Sequence, residues 1–301
     1  MKAIDFIFSG RPMLLLPVWS IYLISWRIIN PPASHGGDFF LLFAGLSLVA
    51  MGAYLINQIF DYQSDLINRK VGFLQKGLIS RGEMIAAFAV ISAAGLGLGL
   101  AADLRSGLVL AAIFLLGLGY SVPPFRFKDR PVMGLLANGF GYGALLPLAI
   151  PGIWDMGWES AFSITAYFAT AVSAIYLLTI IPDVKGDRLA GKMTLAAVLP
   201  NRALIGMGVA FLIFSAFCGM KIGNYYMAAI SIIAIGLLGV AMIFPGHEWW
   251  LLFSCKFPIL LLTVLAGYYF PFYLGFVLVL ILVTRIYYKK RFGDVYPRLS
   301  G

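Results

Sequence analysis

Residues 39–65 read FFLLFAGLSLVAMGAYLINQIFDYQSD, and this stretch decides the fold. Its first part, residues 39–60, carries no charged side chain and is long enough to cross a bilayer as a helix, which needs about 20 mostly apolar residues. The apolar run then ends in two carboxylates, Asp61 and Asp65, four residues apart. The stretch therefore predicts a transmembrane helix with an acidic motif at its end.

Other segments of the chain resemble residues 39–60 in length and apolar character. They lie near 13–30, 84–102, 107–122, 132–151, 160–182, 203–220, 225–244, 250–269 and 271–288. The last two are separated only by the break before Pro271, so they predict either two helices or one bent element. We therefore expect an all-α membrane protein with nine to ten transmembrane helices.

The composition of the 301 residues agrees with lipid as the solvent: 61% are hydrophobic, only 12% are charged, and the mean hydropathy is +0.92. Soluble domains carry about 25% charged and about 45–50% apolar residues. An ordinary soluble domain, a disordered chain and a nucleic-acid-binding module are therefore excluded. Cys218 and Cys255 lie in apolar runs without metal-binding spacing, so we expect neither a disulfide framework nor a zinc site.

The basic excess, 22 Lys and Arg against 13 Asp and Glu, predicts how the chain lies in the membrane. Basic residues concentrate in the polar loops near 61–83, 121–131 and 183–202, which fall on the side of the N-terminus. Cytoplasmic loops carry such an excess of Lys and Arg. We therefore expect a multi-pass protein, in the cytoplasmic membrane if the source is prokaryotic, with these loops at the cytoplasmic face.

Two acidic motifs occur at span ends on that face. The first contains Asn57, Asp61 and Asp65, and the second contains Asp183 and Asp187. On a helix of 3.6 residues per turn, side chains four residues apart share one face, so each motif is expected to present a pair of carboxylates together. Two like charges one turn apart repel each other, and desolvation at a span end adds to the cost.

A divalent cation offsets both the repulsion between the paired carboxylates and the cost of desolvating them. Mg²⁺ prefers hard oxygen ligands and typically takes one or two carboxylates plus substrate phosphates. Two such pairs facing each other could hold Mg²⁺ around a diphosphate, with Asn57 orienting a carboxylate or a metal-bound water. Helix capping or pairing with nearby basic residues would explain a single motif, but two copies in matched positions favour the cation site.

The remaining acids lie singly in expected loops or flanks, where solvated surface charge explains them. They are Asp5, Asp38, Glu83, Asp103, Asp129, Asp155, Glu159, Glu248 and Asp294.

The matched motifs also indicate a weak internal repeat, because each follows the second span of a four-span block. We expect one domain over 1–301, with repeated blocks at approximately 11–122 and 132–244 and C-terminal helices at 250–288. Duplicated membrane bundles often place their site at the interface between the repeats.

A third feature is the loop at 120–128, which reads YSVPPFRFK. Two prolines end the preceding span and stiffen the turn. Arg126 and Lys128 fall on the same side of the membrane as the acids, where either could neutralise a phosphate. The ring of Tyr120 could stabilise a cation through its π face. A basic cytoplasmic loop with an interfacial Tyr is the plainer explanation when this loop is taken alone.

Together, NQxxDxxxD at 57–65, YSxPP followed by a Lys at 120–128, and DxxGD at 183–187 resemble the motifs of the UbiA superfamily of intramembrane aromatic and isoprenoid prenyltransferases. This resemblance covers nearly the whole chain. It implies a bundle, usually of nine helices, around a central cavity with a lateral opening to lipid. It also implies Mg²⁺ as cofactor and an isoprenyl diphosphate as donor.

The resemblance assigns roles to residues that match the family's motifs. Metal and diphosphate would be held by Asp61, Asp65, Asp183 and Asp187. Asn57 would support the first pair, and Tyr120 would lie near the reacting carbon. The cations that meet the diphosphate would be Arg11, Lys70 and Lys128. From its place in the loop at 120–128, Arg126 is a further candidate for binding the diphosphate.

Three features depart from the family pattern. The stretch 68–77 lacks the Arg-Pro pair that often follows the first motif, so either Lys70 or Lys76 would supply the missing base. Thr179 stands where the second motif commonly has Asn, and the tenth apolar segment exceeds the usual nine.

The expected function is Mg²⁺-dependent transfer of an isoprenyl group to a lipophilic, aromatic acceptor within the membrane. The expected partners are the isoprenyl diphosphate donor, this acceptor and membrane lipid, and we expect no nucleic acid to bind. Two other functions fit parts of the pattern. A terpene cyclase of the same superfamily would act on the diphosphate alone. A transporter of an anionic substrate would also suit paired acids and a repeat, but these acids lie at span ends and not at mid-membrane.

Overall fold

The computed structural model describes residues 2–67, 72–189, 191–243, 248–293 and 296. The α-helices in these residues are α1 (Lys2–Ser9), α2 (Leu16–Ile29), α3 (Asp38–Phe60), α4 (Tyr62–Ile67), α5 (Arg81–Ala102), α6 (Leu104–Ser121), α7 (Pro131–Asn138), α8 (Leu145–Leu148), α9 (Trp158–Leu189), α10 (Leu195–Val198), α11 (Asn201–Lys221), α12 (Tyr225–Ile243), α13 (Glu248–Tyr269) and α14 (Pro271–Phe292). A π-helix, Gly139–Ala144, joins α7 to α8.

Ten segments of the described chain are long and apolar enough to cross a membrane, which confirms the all-α membrane class. The last two are separate helices. Phe270 leaves the helical region at φ −132° and ψ 84°, and α14 restarts at Pro271. Proline suits the first helical position because its missing N–H would have no intrahelical partner there.

The N-terminal helix α1 and the end of α14 lie together on one face of the bundle. Arg291 donates two hydrogen bonds to the Asp5 carboxylate, from Nε at 3.0 Å and from Nη2 at 2.7 Å, and the Tyr287 hydroxyl donates a third. The ring of Phe8 stacks on Tyr287 with centroids 3.9 Å apart. The expectation that Asp5 is solvated surface charge was therefore wrong: it is 1% exposed. Burying a carboxylate requires such partners, and they come from the far end of the chain.

Close backbone approach joins α3 to α5. A Cβ on Gly45 would lie 3.0 Å from the Gly95 carbonyl oxygen, and one on Gly95 would lie 2.9 Å from the Gly45 carbonyl oxygen. Helices in lipid associate through van der Waals packing, which small residues at the interface permit. This contact positions the end of α3, and with it the first acidic motif.

Candidate active site

The first acidic motif lies at a break between two helices. Asp61 ends α3 with φ −91° and ψ 1°, and α4 begins at the next residue. The Asp61 N–H donates to the Asn57 carbonyl at 2.8 Å, and the Asp65 N–H donates to the Asp61 carbonyl at 2.8 Å. The helical spacing is thus kept across the break. The neighbouring Gln58 side chain donates to the Ser9 carbonyl at 2.8 Å and ties this end of α3 to α1.

Lys128 joins the loop after α6 to this motif. Its Nζ lies 2.7 Å from Asn57 Oδ1 and 2.7 Å from Asp61 Oδ1. Ser121 Oγ donates to the same Asn57 oxygen at 3.1 Å. Lys128 is 7% exposed and lies on a short turn, Phe127–Asp129. The structure therefore brings Asn57, Asp61 and Lys128 into one hydrogen-bonded group, as the expected site requires.

Lys192 links the two motifs and was missed by the sequence analysis, which placed it only among the basic residues of a loop. Its Nζ lies 3.6 Å from Asp61 Oδ1 and 3.6 Å from Asp187 Oδ1. The Gly191-Lys192 pair after α9 could have predicted this position. Glycine commonly follows the end of a helix in a left-handed conformation, and the residue after it then lies beside the last helical turn. One carboxylate from each motif thus faces a common ammonium group.

The two lysines respond differently to these surroundings. Burial lowers the pKa of Lys128, and the Asp61 carboxylate only partly opposes that effect. Burial also acts to lower the pKa of Lys192, but Asp61, Asp187 and Asp129 together outweigh it, so its pKa is raised. Lys192 therefore keeps its positive charge at neutral pH between the two motifs.

The other expected site residues are placed as follows. Asp65 and Asp187 are buried, whereas Asp183 is exposed one turn before Asp187. Arg11 takes a left-handed conformation at φ 52° between α1 and α2 and lines the cavity described below. Lys70 lies outside the described residues.

Arg126 is turned toward its own loop. Its Nε lies 2.6 Å from Asp129 Oδ2, and its side chain is 38% exposed. This pairing separates Arg126 from Lys128, although the sequence analysis grouped them together as phosphate-binding cations.

A cavity of about 430 Å³ extends from Asn57 into the bundle between α2, α3, α6, α7, α9 and α13. Tyr120 and Thr179 lie in its wall, and most of the remaining lining is apolar. A chamber of this kind can hold a hydrocarbon chain away from water while its end at Asn57 meets the charged groups.

Four further polar residues line this cavity, and none of them was predicted from the sequence as a site residue. They are Tyr54, Asn138, Tyr142 and Tyr176. The Tyr54 hydroxyl donates to the Leu14 carbonyl at 2.9 Å, and the rings of Tyr54 and Tyr142 are nearly parallel with centroids 6.5 Å apart. Tyr142 lies on the π-helix, a rare geometry that is frequent at functional sites.

The oxygen donors of this site fit a hard divalent cation. Asp61 and Asp187 both lie 3.6 Å from Lys192 Nζ, and Asp61 also contacts Lys128 at 2.7 Å. Within the part of the chain that the structure describes, no three His, Cys, Asp or Glu side chains are grouped so as to hold a metal ion by themselves. Mg²⁺ commonly binds one or two carboxylates and completes its shell with water and substrate phosphates. The donor set therefore fits Mg²⁺ bound together with a phosphate-bearing ligand.

The UbiA prenyltransferase family model matches residues 14–254. The chain therefore belongs to the UbiA prenyltransferase family, which confirms the resemblance seen in its motifs.

Curated relatives and a solved structure agree with this membership. The chain is 28% identical over 237 residues to a 2-acyl-4-prenylphloroglucinol 6-prenyltransferase of Humulus lupulus, covering 74% of this chain and 51% of that protein. It is 30% identical over 231 residues to a lycopene elongase/hydratase of Halobacterium salinarum, covering 74% and 80%. The chain thus spans about half the length of the plant relative.

In fold, the chain is similar to a UbiA homolog from Archaeoglobus fulgidus bound to GPP and Mg²⁺. The TM-score is 0.71 at 18% identity, and the match covers 90% of this chain and 98% of that one. The likeness at this identity concerns the fold.

Proposed function

We propose that the chain is a prenyltransferase that moves an isoprenyl group from an isoprenyl diphosphate to a lipophilic acceptor in the membrane, with Mg²⁺ at the acidic motifs. The observation that carries the proposal is the convergence of Asp61 and Asp187, one from each motif, on an ammonium group 3.6 Å from both. This charged cluster adjoins Asn57, which also lines the apolar cavity. A diphosphate held at the acids would direct its hydrocarbon chain into that cavity.

Different residues of the site contribute in different ways to the release of the diphosphate. Lys128 and Arg11 supply fixed positive charge where negative charge grows on the departing oxygen, a contribution that preorganised groups make without reorganising. Mg²⁺, when bound, supplies Lewis-acid stabilisation of the same oxygens. Asn57 accepts from Lys128 and from Ser121, so its amide oxygen holds the lysine in place. Asp65 and Asp183 complete the two carboxylate pairs.

The apolar cavity protects the other product of bond cleavage. The bond between C1 and the diphosphate oxygen breaks, and its electron pair leaves with the diphosphate. The allylic cation left behind lies among aromatic faces such as that of Tyr120, which stabilise positive charge. The π electrons of the acceptor then form the new bond at C1, and the acceptor loses its proton to water or diphosphate.

The names of the relatives support prenyl transfer but suggest different acceptors. One is named for a phloroglucinol, an aromatic ring, and another for lycopene, a polyene. We propose an aromatic acceptor, because the tyrosines of the cavity wall offer both ring faces and hydroxyl groups to a phenolic ring. The concentration of basic loops on the side of the acids supports a site at the cytoplasmic face.

The deciding experiment is mass spectrometry of the products from membranes that contain the chain. The membranes are fed C10 to C20 isoprenyl diphosphates with Mg²⁺, with and without phenolic acceptors. We expect a prenylated acceptor that forms only when both substrates and Mg²⁺ are present. A cyclic hydrocarbon from the diphosphate alone would indicate a terpene cyclase. Absence of Mg²⁺-dependent diphosphate release would contradict both activities.

A further inference from the structure

Lys192 contacts the acids in a different way from Lys128. Lys128 lies at hydrogen-bonding distance, 2.7 Å, from both Asn57 and Asp61. Lys192 lies 3.6 Å from one oxygen of Asp61 and 3.6 Å from one oxygen of Asp187, which is longer than a direct hydrogen bond. Its positive charge thus lies at the same distance from one carboxylate of each motif.

The backbone places Lys192 in this position. The Lys192 N–H donates to the Asp187 carbonyl at 2.9 Å, and the Gly191 N–H donates to the Arg188 carbonyl at 3.1 Å. These are the two bonds of a Schellman motif, with Gly191 at φ 72°.

The loop that carries Lys192 is also joined to the turn that carries Lys128. The Met193 N–H donates to the Asp129 carbonyl at 3.2 Å. The location of Lys192 is therefore built into the fold, and its ammonium group is carried on a flexible four-carbon stem.

We infer that Lys192 is an exchangeable counter-ion of the two motifs, an inference that rests on the proposed function. Before divalent cations bind, its ammonium group offsets the repulsion between Asp61 and Asp187. A divalent cation competes for the same carboxylates, and the ammonium group then turns to the diphosphate that enters with the cation. A diphosphate held by a divalent cation at these two acids would bring its negative charge near Lys192, whose Nζ lies 3.6 Å from both carboxylates.

This role has two consequences of opposite sign. Without Lys192 the site is more negative and has one competing ammonium group fewer, so a divalent cation binds more tightly in the absence of diphosphate. The diphosphate, however, loses a charged hydrogen-bond donor and binds more weakly. Loss of a hydrogen bond to a charged group should weaken diphosphate binding by about tenfold or more, and the affinity for the divalent cation alone should rise.

The test uses the purified full chain in detergent and the substitution Lys192→Met. Mn²⁺ affinity is measured by electron paramagnetic resonance without diphosphate, and affinity for inorganic diphosphate is measured by calorimetry at saturating Mg²⁺. We expect tighter Mn²⁺ binding and weaker diphosphate binding than in the wild type. Lys192→Arg, which keeps the charge, should restore both affinities toward wild type. Lys221→Met is the matched control, because Lys221 is exposed and pairs with Glu159 on the opposite face.

Two results would overturn the inference. If Lys192→Met leaves both affinities unchanged, Lys192 contacts neither ligand; if it weakens both, Lys192 has only a structural role. Failure of the proposed function is distinguishable from these results. In that case the wild-type chain yields no prenylated product in the mass-spectrometric experiment, whereas the two binding measurements need no turnover.

Discussion

The two acidic motifs have the same spacing but are built into the fold in different ways. The first lies at a break, with Asp61 between the end of α3 and the start of α4. The second lies inside one continuous helix, α9, which runs through Pro182 to Leu189. Asp61 contacts Lys128 at 2.7 Å, whereas Asp187 contacts Lys192 at 3.6 Å.

This difference separates a tightly held half of the site from a looser one. At the break, Lys128 from another element contacts both the Asp61 carboxylate and the Asn57 amide oxygen at 2.7 Å. The carboxylates of the second motif lie on the continuous helix α9, where Asp187 is buried 3.6 Å from Lys192 Nζ and Asp183 is exposed. Equal spacing in sequence therefore does not produce equal environments, and substitutions in the two halves should reveal what each contributes.

The largest effect is expected from Asp61→Ala and Asp183→Ala. Each should reduce turnover by at least about 10³-fold, because a cation site built from both motifs fails when either pair is broken. Product formation is measured in reconstituted membranes, with thermal unfolding as the check on folding. Asp155→Ala, in an exposed turn on the opposite face, is the matched control. Near-normal turnover in either variant would contradict a site shared by the two motifs.

Lys128→Met should lower kcat by about 10²–10³-fold, since it removes a fixed positive charge aimed at the departing oxygen. Steady-state kinetics with varied diphosphate would show a loss mainly in kcat. A change in KM alone would mean that Lys128 helps binding without stabilising the transition state, and the tightly held half would then have no special role in the chemistry.

Asn57→Ala should cost about 10–100-fold in activity or Mg²⁺ affinity, which is typical of a group that orients a neighbouring charge. Ser121→Ala removes only the second donor to the Asn57 oxygen and should therefore have a smaller effect. The comparison is made by Mg²⁺ titration of turnover. Equal losses in the two variants would show that the whole hydrogen-bonded group acts as one unit.

The smallest effect is expected from Arg126→Gln. Its guanidinium group is paired with Asp129 and is partly exposed, and such pairs contribute about 0–1 kcal/mol. We expect kcat/KM for the diphosphate to fall by less than about fivefold. A loss as large as that of Lys128→Met would mean that Arg126 leaves Asp129 to bind the diphosphate.

Much of the architecture was accessible from the sequence, because hydropathy and helical periodicity are local properties. Mostly apolar runs of about 20 residues predicted the spans, and the i,i+4 spacing predicted that each carboxylate pair shares one face. The break before Pro271 left nine or ten spans open, and the structure resolves it into two helices. The internal repeat at 11–122 and 132–244 stays a prediction.

What the sequence determined by itself was the solvent, the spans, the family and the acids of the two motifs. Only the tertiary structure decided which groups meet across the chain. Asp5 pairs with Arg291, which lies 286 positions away, and Lys192 lies between carboxylates from two different helices. A local pattern contains no information about such contacts, because they depend on how separate helices pack and on where a loop returns. The charge of Lys192 was visible from the start, but its position between the two motifs was set by the packing of the bundle.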